Sequence, residues 1–212
     1  MIPYPKINSI FKRDKKTHKF TKEFSRPEFE YLQNNAWEYT EKVDGMNIRV
    51  IWKPLYNNSI PKFHVSFVGR TNKAEIPTHL FNKLQEIFPV EKFKKEYPET
   101  EMCLYGEGYG VKIQKGGKYI SYGVDFILFD IGINGFWLSR KNIEDIANKL
   151  EIKVVPIIGE GTLHEAIRMT KKGVTSTFGN FIMEGFVLRP KVDLLFQNGN
   201  RVITKIKHKD FQ

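Results

Sequence analysis

The chain has 212 residues, 41% of them hydrophobic and 27% charged, which is enough for one sizeable core and excludes an intrinsically disordered polypeptide. Its formal net charge of +10 favours a polyanionic partner through phosphate neutralisation and counterion release. The single cysteine, Cys103, excludes an internal disulfide and a cysteine-based zinc site, and fits a reducing, cytoplasmic setting.

At the start of the chain, MIPYPKINSIFKRDKK lacks the apolar core of a signal peptide, and no apolar stretch approaches the length that spans a bilayer. Residues 12–22 (KRDKKTHKFTK) are basic and poor in apolar side chains. They read as an exposed loop or arm, either a solvated charge run or a nucleic-acid contact. Ser25 and Glu28 stand at capping-box spacing, which predicts a short helix with Pro27 in its first turn and Phe29 and Leu32 on its buried side. Residues 37–52 read as two strands around a turn at Asp44-Gly45, and residues 63–68 alternate as another strand. Residues 78–88 predict a helix with Leu80, Phe81, Leu84 and Ile87 on one side, stopped by Pro89. Residues 102–110 read as a strand running into a glycine-rich loop. Residues 110–120 continue as a flexible basic loop or a plain hairpin, and 124–133 as a buried strand. Ile143, Ile146, Ala147 and Leu150 mark an amphipathic helix; Thr162 and Glu165 cap another, which Gly173 ends. Residues 181–190 and 201–208 are the last two strands. Strands dominate without a repeating βαβ rhythm. The expectation is an α+β fold, largely antiparallel sheets flanked by helices, in one domain over residues 1–212.

The chemistry begins at Glu41-Lys42-Val43-Asp44-Gly45. A protonated lysine is a poor nucleophile and becomes useful when desolvated or crowded by other cations. The glycine lets the backbone approach a ligand closely. Taken alone, this stretch is equally a surface turn with a solvated lysine. Further along the chain come, in order, Gly69-Arg70-Thr71, Glu107 between Gly106 and Gly108, Phe129-Asp130 on a buried strand, Glu184 in an apolar strand, and Lys205 and Lys207 on one face of the last strand. Charges embedded in apolar strands need partners, so structural ion pairs are the plain alternative. Attack by an amine on the α-phosphate of ATP needs these same parts: cations against phosphates, carboxylates for Mg²⁺ and ribose hydroxyls, and an aromatic face for the base.

From about Glu41 to Lys207 this ordered series resembles the motifs of the covalent nucleotidyltransferase superfamily of DNA ligases, RNA ligases and mRNA-capping guanylyltransferases. It is most similar to the bacteriophage-type RNA ligase 2 family. The resemblance implies a ligase adenylation-domain fold and a three-step, ATP-dependent joining of RNA ends. It implies that Lys42 takes AMP, with Glu41 and Asn47 beside it in the nucleotide site. Arg70 then holds the nucleotide and later the RNA ends, Glu107 binds the ribose, and Phe129 stacks on adenine. Glu184 and Asp44 place Mg²⁺ or Mn²⁺, and Lys205 and Lys207 contact the phosphates, one of them as pyrophosphate leaves. Asp44 stands where several RNA ligases of this family have another residue, and Arg189 where a lysine is familiar. A DNA or hybrid substrate, a GTP-using capping enzyme and a non-catalytic nucleic-acid binder are the alternatives. Relatives usually carry an OB-fold or small helical domain beyond the last lysines, and none is expected within residues 1–212. Lys12, Arg13, Lys15, Lys16, Lys112, Lys115, Lys118, Lys171 and Lys172 are candidates for a groove along the RNA backbone.

Overall fold

The computed structural model describes residues 3–57 and 60–212. In chain order, β1 (Asn8–Ser9), β2 (Phe11–Arg13) and β3 (Phe20–Phe24) are followed by helix α1 (Pro27–Tyr31) and β4 (Trp37–Glu41). Next come β5 (Met46–Asn57), β6 (Ile60–Gly69), α2 (Thr78–Ile87), α3 (Val90–Glu96), β7 (Met102–Gly110), β8 (Val124–Ile133), β9 (Phe136–Trp137) and α4 (Arg140–Leu150). Strand β10 (Ile157–Gly161), helix α5 (Leu163–Lys172), β11 (Gly185–Pro190) and β12 (Thr204–Lys207) complete the order. The fold is α+β, and its paired strands run antiparallel except for β1 against β12.

Two compact units divide the chain. A mid-chain unit takes Met1–Tyr4 and Asp44–Val155, and a split unit takes Pro5–Val43 and Pro156–Gln212. The mid-chain unit holds the sheet β6-β5-β7-β8-β9. One face of that sheet, with Ile48, Val50 and Leu104, packs on Leu80, Leu84, Phe93, Ile143 and Ala147 from the helices. Gly106 and Gly108 lie on this face within β7, so the expected glycine loop is strand. A Cβ at Gly106 would stand 2.1 Å from the Phe126 ring, and one at Gly108 would stand 2.6 Å from Leu80. The glycines are there because neighbouring side chains fill the space. Cys103 is buried, which pushes its thiol up to about 11 and leaves it unreactive at neutral pH.

The split unit holds the sheet β1-β12-β11-β4-β10 and the β2–β3 pair. Its core joins Trp37, Tyr39, Phe186, Leu188 and Ile206 from strands to Phe29, Leu163 and Ala166 from helices. Helix α5 starts as predicted: Thr162 accepts from the Glu165 N–H, the Glu165 carboxylate accepts from the Thr162 N–H at 2.8 Å, and Gly173 ends the helix at φ +84°. Helix α1 also forms, but not by the expected cap. Arg26 is its N-cap without a side-chain bond, and the Ser25 hydroxyl donates instead to the Ser9 carbonyl at 2.5 Å. The Ser25 N–H is already bound to the Ile10 carbonyl, so the hydroxyl is drawn to that edge. Residues 12–22, expected as an arm, contribute to a hairpin in which Phe11 pairs with Phe24 and Arg13 with Phe20. The Phe11 ring packs at 5.6 Å from Phe20 and 5.2 Å from Phe24, an apolar ladder that the surrounding lysines conceal in the sequence.

Candidate active site

In the split unit, topology alone assembles the charged group. Strand β11 lies between β4 and β12 and runs antiparallel to both. The ends of β4 and β12 therefore flank the start of β11, placing Lys42 and Lys207 on either side of Glu184. The Lys42 Nζ lies 2.5 Å from Glu184 Oε2, and the Lys207 Nζ 2.5 Å from Oε1. Backbone bonds clamp the same point: the Lys42 N–H donates to the Gly185 carbonyl and the His208 N–H to the Glu184 carbonyl, both at 2.9 Å. Gly185 sits at φ +153°, and a Cβ there would fall 2.0 Å from the Ile206 carbonyl oxygen, so only glycine fits. Lys205 shares the β12 face with Lys207, as their spacing predicts, and is paired with Val187 in the ladder.

Glu41 faces the other way. Burial alternates along β4, with Trp37, Tyr39 and Glu41 buried, and Lys42 continues the opposite face. The Glu41 carboxylate accepts from the Ser176 hydroxyl at 2.5 Å, and from the Thr177 N–H at 3.0 Å and its hydroxyl at 2.8 Å. It anchors the segment leading into Glu184.

In the mid-chain unit the polar face of the sheet carries the other predicted residues. Asn47 on β5 is the Cα partner of Glu107 on β7. The register of β7 against β8 slips by one residue at a bulge: Tyr105 opposes Asp130, yet Gly106 opposes Leu128. Phe129 is the extra residue. Strict alternation would put Phe129 and Asp130 on opposite faces; the bulge lets both reach Tyr4. The Tyr4 ring stands edge-on to Phe129 with centroids 5.0 Å apart, and its hydroxyl donates to Asp130 Oδ2 at 2.8 Å.

Arg70 is exposed on the turn after β6. That turn is held by Arg49, which is 1% exposed and donates through Nε to the Gly69 carbonyl at 3.0 Å and through a terminal nitrogen to Asn72 Oδ1 at 2.7 Å. Gly45 is needed for close approach, since a Cβ there would lie 2.3 Å from the Gly108 carbonyl oxygen. The Asp44 N–H donates to the Tyr119 hydroxyl at 3.0 Å. Tyr119 belongs to the segment expected as a flexible loop or hairpin. That segment is folded by its own bonds, Ile113 N–H to Gly110 and Tyr119 N–H to Gly116 among them.

In the split unit, Glu184 suits a hard cation such as Mg²⁺ that also takes phosphate oxygens. Glu184 is held below the ordinary carboxylate range: burial pushes it up, but the Lys42 charge and the hydrogen bonds from Lys207 and Lys42 outweigh burial, so its oxygens are anionic. Asn47 Oδ1 is buried without a hydrogen-bond partner among the described residues. No group of three or more His, Cys, Asp or Glu forms a cage among the described residues. A cation at Glu184 would draw most of its oxygens from phosphates and water, as Mg²⁺ does.

The structure thus brings Lys42, Glu184 and Lys207 into contact in one unit, and gathers Asn47, Glu107 and Phe129 on one sheet of the other. The sequence reading missed Arg49, Tyr4 and the Ser176-Thr177 pair. Arg49 carried a signal, an arginine in an alternating apolar strand; Tyr4 and the hydroxyl pair carried none.

Residues 35–207 match the protein family described as RNA ligase. Among solved structures, the chain is similar to a Naegleria gruberi RNA ligase mutant with ATP and Mn, at 21% identity and a TM-score of 0.65, covering 85% of this chain and 52% of that one. It is also similar to another mutant of that ligase with ATP and Mn (21% identity, TM-score 0.66, 98% of this chain and 64% of that one). The same ligase with PPi matches at 19% identity and a TM-score of 0.63, over 96% of this chain and 61% of that one. At these identities the likeness carries the fold. The chain spans between 52% and 64% of the length of these matched structures.

Proposed function

The chain belongs to the RNA ligase family, and from that membership we propose that residues 1–212 work as an ATP-dependent nucleotidyltransferase domain whose nucleophile is Lys42. The observation that carries the reading is the contact of Glu184 with both Lys42 and Lys207 at the joined ends of three strands. A lysine destined only for solubility has no reason to lie 20% exposed against a largely buried carboxylate.

In the proposed reaction the Lys42 nitrogen sheds a proton and attacks the α-phosphorus of ATP. A P–N bond forms, the bond to the bridging oxygen breaks, and pyrophosphate leaves. An oxygen of an RNA 5′-phosphate then attacks the same phosphorus, breaks the P–N bond and restores Lys42. A 3′-hydroxyl finally attacks the activated 5′-phosphate, forming the phosphodiester and releasing AMP. Lys205 and Lys207 hold phosphate oxygens and stabilise the negative charge on the departing pyrophosphate. Glu184 keeps Lys42 and Lys207 aimed at one point before ATP arrives. On the mid-chain unit, Phe129 offers its ring to adenine, Glu107 its carboxylate to the ribose, and Arg70 its guanidinium to phosphate. In the split unit, Glu184 is the carboxylate we assign to hold Mg²⁺ or Mn²⁺, which would neutralise and orient the phosphates when bound. Glu41 acts from behind Lys42, through the segment that Ser176 and Thr177 anchor. The substrate is the pair of RNA ends to be joined. No helix among the described residues is long and apolar enough to cross a membrane, and the proposed place of work is the cytoplasm.

The test uses Mg²⁺, ATP labelled at the α-phosphate, and a denaturing gel. Label should stay on the wild-type band and be absent from Lys42→Ala. Label from GTP but not ATP would move the chain to the capping branch, and no label from either would sink the proposal.

A further inference from the structure

We infer that a basic groove in the split unit, running from Lys207 past β1 to the β2–β3 hairpin, binds the phosphodiester backbone of the RNA being joined. The inference rests on the function proposed above and extends it outward from Lys205 and Lys207 to Lys6, Lys209 and the hairpin, which that function does not use. The groove measures about 620 Å³, within the usual range of ligand sites. Lys6, Lys12, Arg13, Lys205, Lys207 and Lys209 supply its charge.

Its acids cancel that charge only in part, Lys207 being paired with Glu184 at 2.5 Å. Asp210, the carboxylate in the lining, pairs with Arg13 at 2.8 Å. Lys12 reaches Glu23 at 2.7 Å, but those side chains are 57% and 71% exposed, and a pair so solvated constrains neither partner strongly. Lys6 and Lys209 have no carboxylate partner among the described residues. A concave surface in which positive charge predominates focuses the field and concentrates a polyanion.

Two occupants share the required chemistry, the phosphates of ATP and those of a polynucleotide. The shape favours the second. The lining spreads from β12 past its neighbour β1 to the hairpin, more than one inter-strand spacing of about 4.8 Å. A chain of phosphates that starts at Lys207 and continues outward fills it, whereas a departing pyrophosphate needs only its inner end. Most of the outer lining also precedes residue 35, ahead of the residues matched to the family.

The experiment compares the full chain with Lys6→Gln/Lys209→Gln and with a control of equal charge change on the mid-chain unit, Lys94→Gln/Lys141→Gln. Binding of a fluorescent 5′-phosphorylated single-stranded RNA is followed by anisotropy across a salt series without ATP. Self-adenylation is followed separately by α-labelled ATP. The groove variant should bind RNA more weakly at fixed salt. Its slope of log K against log salt should be shallower by about 1.4, since each lost phosphate contact on a single strand removes about 0.7. The control should keep the wild-type slope, and adenylation of the groove variant should match wild type. An unchanged slope, or an equal loss in the control, would overturn the inference. So would a raised ATP requirement for adenylation with RNA binding intact, which would assign the groove to the triphosphate. The binding arm needs no catalysis, so it decides the groove even if the wild-type chain takes no label and the proposed activity fails.

Discussion

Burial alone would lift the Glu184 carboxyl above its ordinary value of 4.5; the Lys42 charge and the hydrogen bonds from Lys207 and Lys42 outweigh it and hold the group lower. A carboxyl depressed in the folded state adds stability that is present above its unfolded value and is lost as pH falls through the folded one. Urea midpoints of the wild type should therefore hold near neutrality and fall on acidification below the ordinary carboxylate value. Glu184→Gln should remove that acid-side component, and at pH 7 should cost on the order of 3 kcal/mol by leaving two ammonium groups without their carboxylate. A variant whose midpoint falls as steeply as the wild type in acid would show that other carboxylates govern the loss. Tyr4 makes a second residue-scale case. Its ring supports Phe129 and its hydroxyl binds Asp130. Tyr4→Ala should raise the ATP concentration for half-maximal adenylation roughly tenfold, the upper scale of an aromatic pair. Tyr4→Phe, which keeps the ring contact, should raise it less. Wild-type values in both variants would remove Tyr4 from the base site.

At the scale of elements, the start of β11 is the part least open to change. Gly185→Ala would place a Cβ in a left-handed-side conformation 2.0 Å from the Ile206 carbonyl oxygen and 2.7 Å from the Lys207 Cα. Strand β11 would have to withdraw from β12, carrying Glu184 with it. Loss of label from ATP together with a fall in stability of roughly 2 kcal/mol or more is expected; a stable, fully adenylated variant would mean that β11 can shift without disturbing the lysines. Elements of this kind differ in how far the sequence reveals them. Helices α2 and α4 follow directly from the spacing of Leu80 and Leu84, and of Ile143, Ala147 and Leu150, and α5 from its capping box. Period two correctly puts Lys205 and Lys207 on one face. The break between strands at Asp44-Gly45 is legible, but it is a bend rather than the expected turn; its two strands lie in different sheets, and nothing local reveals which distant strand each will join. The bulge at Phe129 is hidden for the same reason: it is a mismatch between two strands, and neither strand records it alone. The β2–β3 hairpin is concealed because lysines outnumber the three phenylalanines that pair across it. The Glu41 partners, Ser176 and Thr177, are common surface residues that acquire meaning only once the chain returns to β4.

At the scale of the whole chain, the two units differ in how they are threaded. Every strand of the β6-β5-β7-β8-β9 sheet, every helix that covers it and every buried residue of its core lies within residues 44–155. The split unit interleaves strands from both ends of the chain: β4 and β1 come from before residue 44, and β10, β11 and β12 from after residue 155. Its sheet forms only when the intervening loop closes, at an entropic cost that for a loop of roughly 100 residues is about 4 kcal/mol. A fragment of residues 44–155 avoids that cost and has ordinary domain size. It should fold alone, with a cooperative thermal transition and fixed near-ultraviolet dichroism from Trp52 and Trp137. Without Tyr4 it loses the ring contacts to Phe129, Tyr105 and Trp137, and the same loss should appear in the mid-chain unit of full-length Tyr4→Ala. Hydrogen exchange on the intact chain supplies the complementary reading. Amides of β5, β7 and β8 should stay protected under conditions where those of β4 and β11 already exchange, because only the latter depend on the long closure. An unfolded fragment, together with equal protection in both sheets, would mean that the two units fold as one and that Lys42 and its partners are held by the cooperativity of the entire chain.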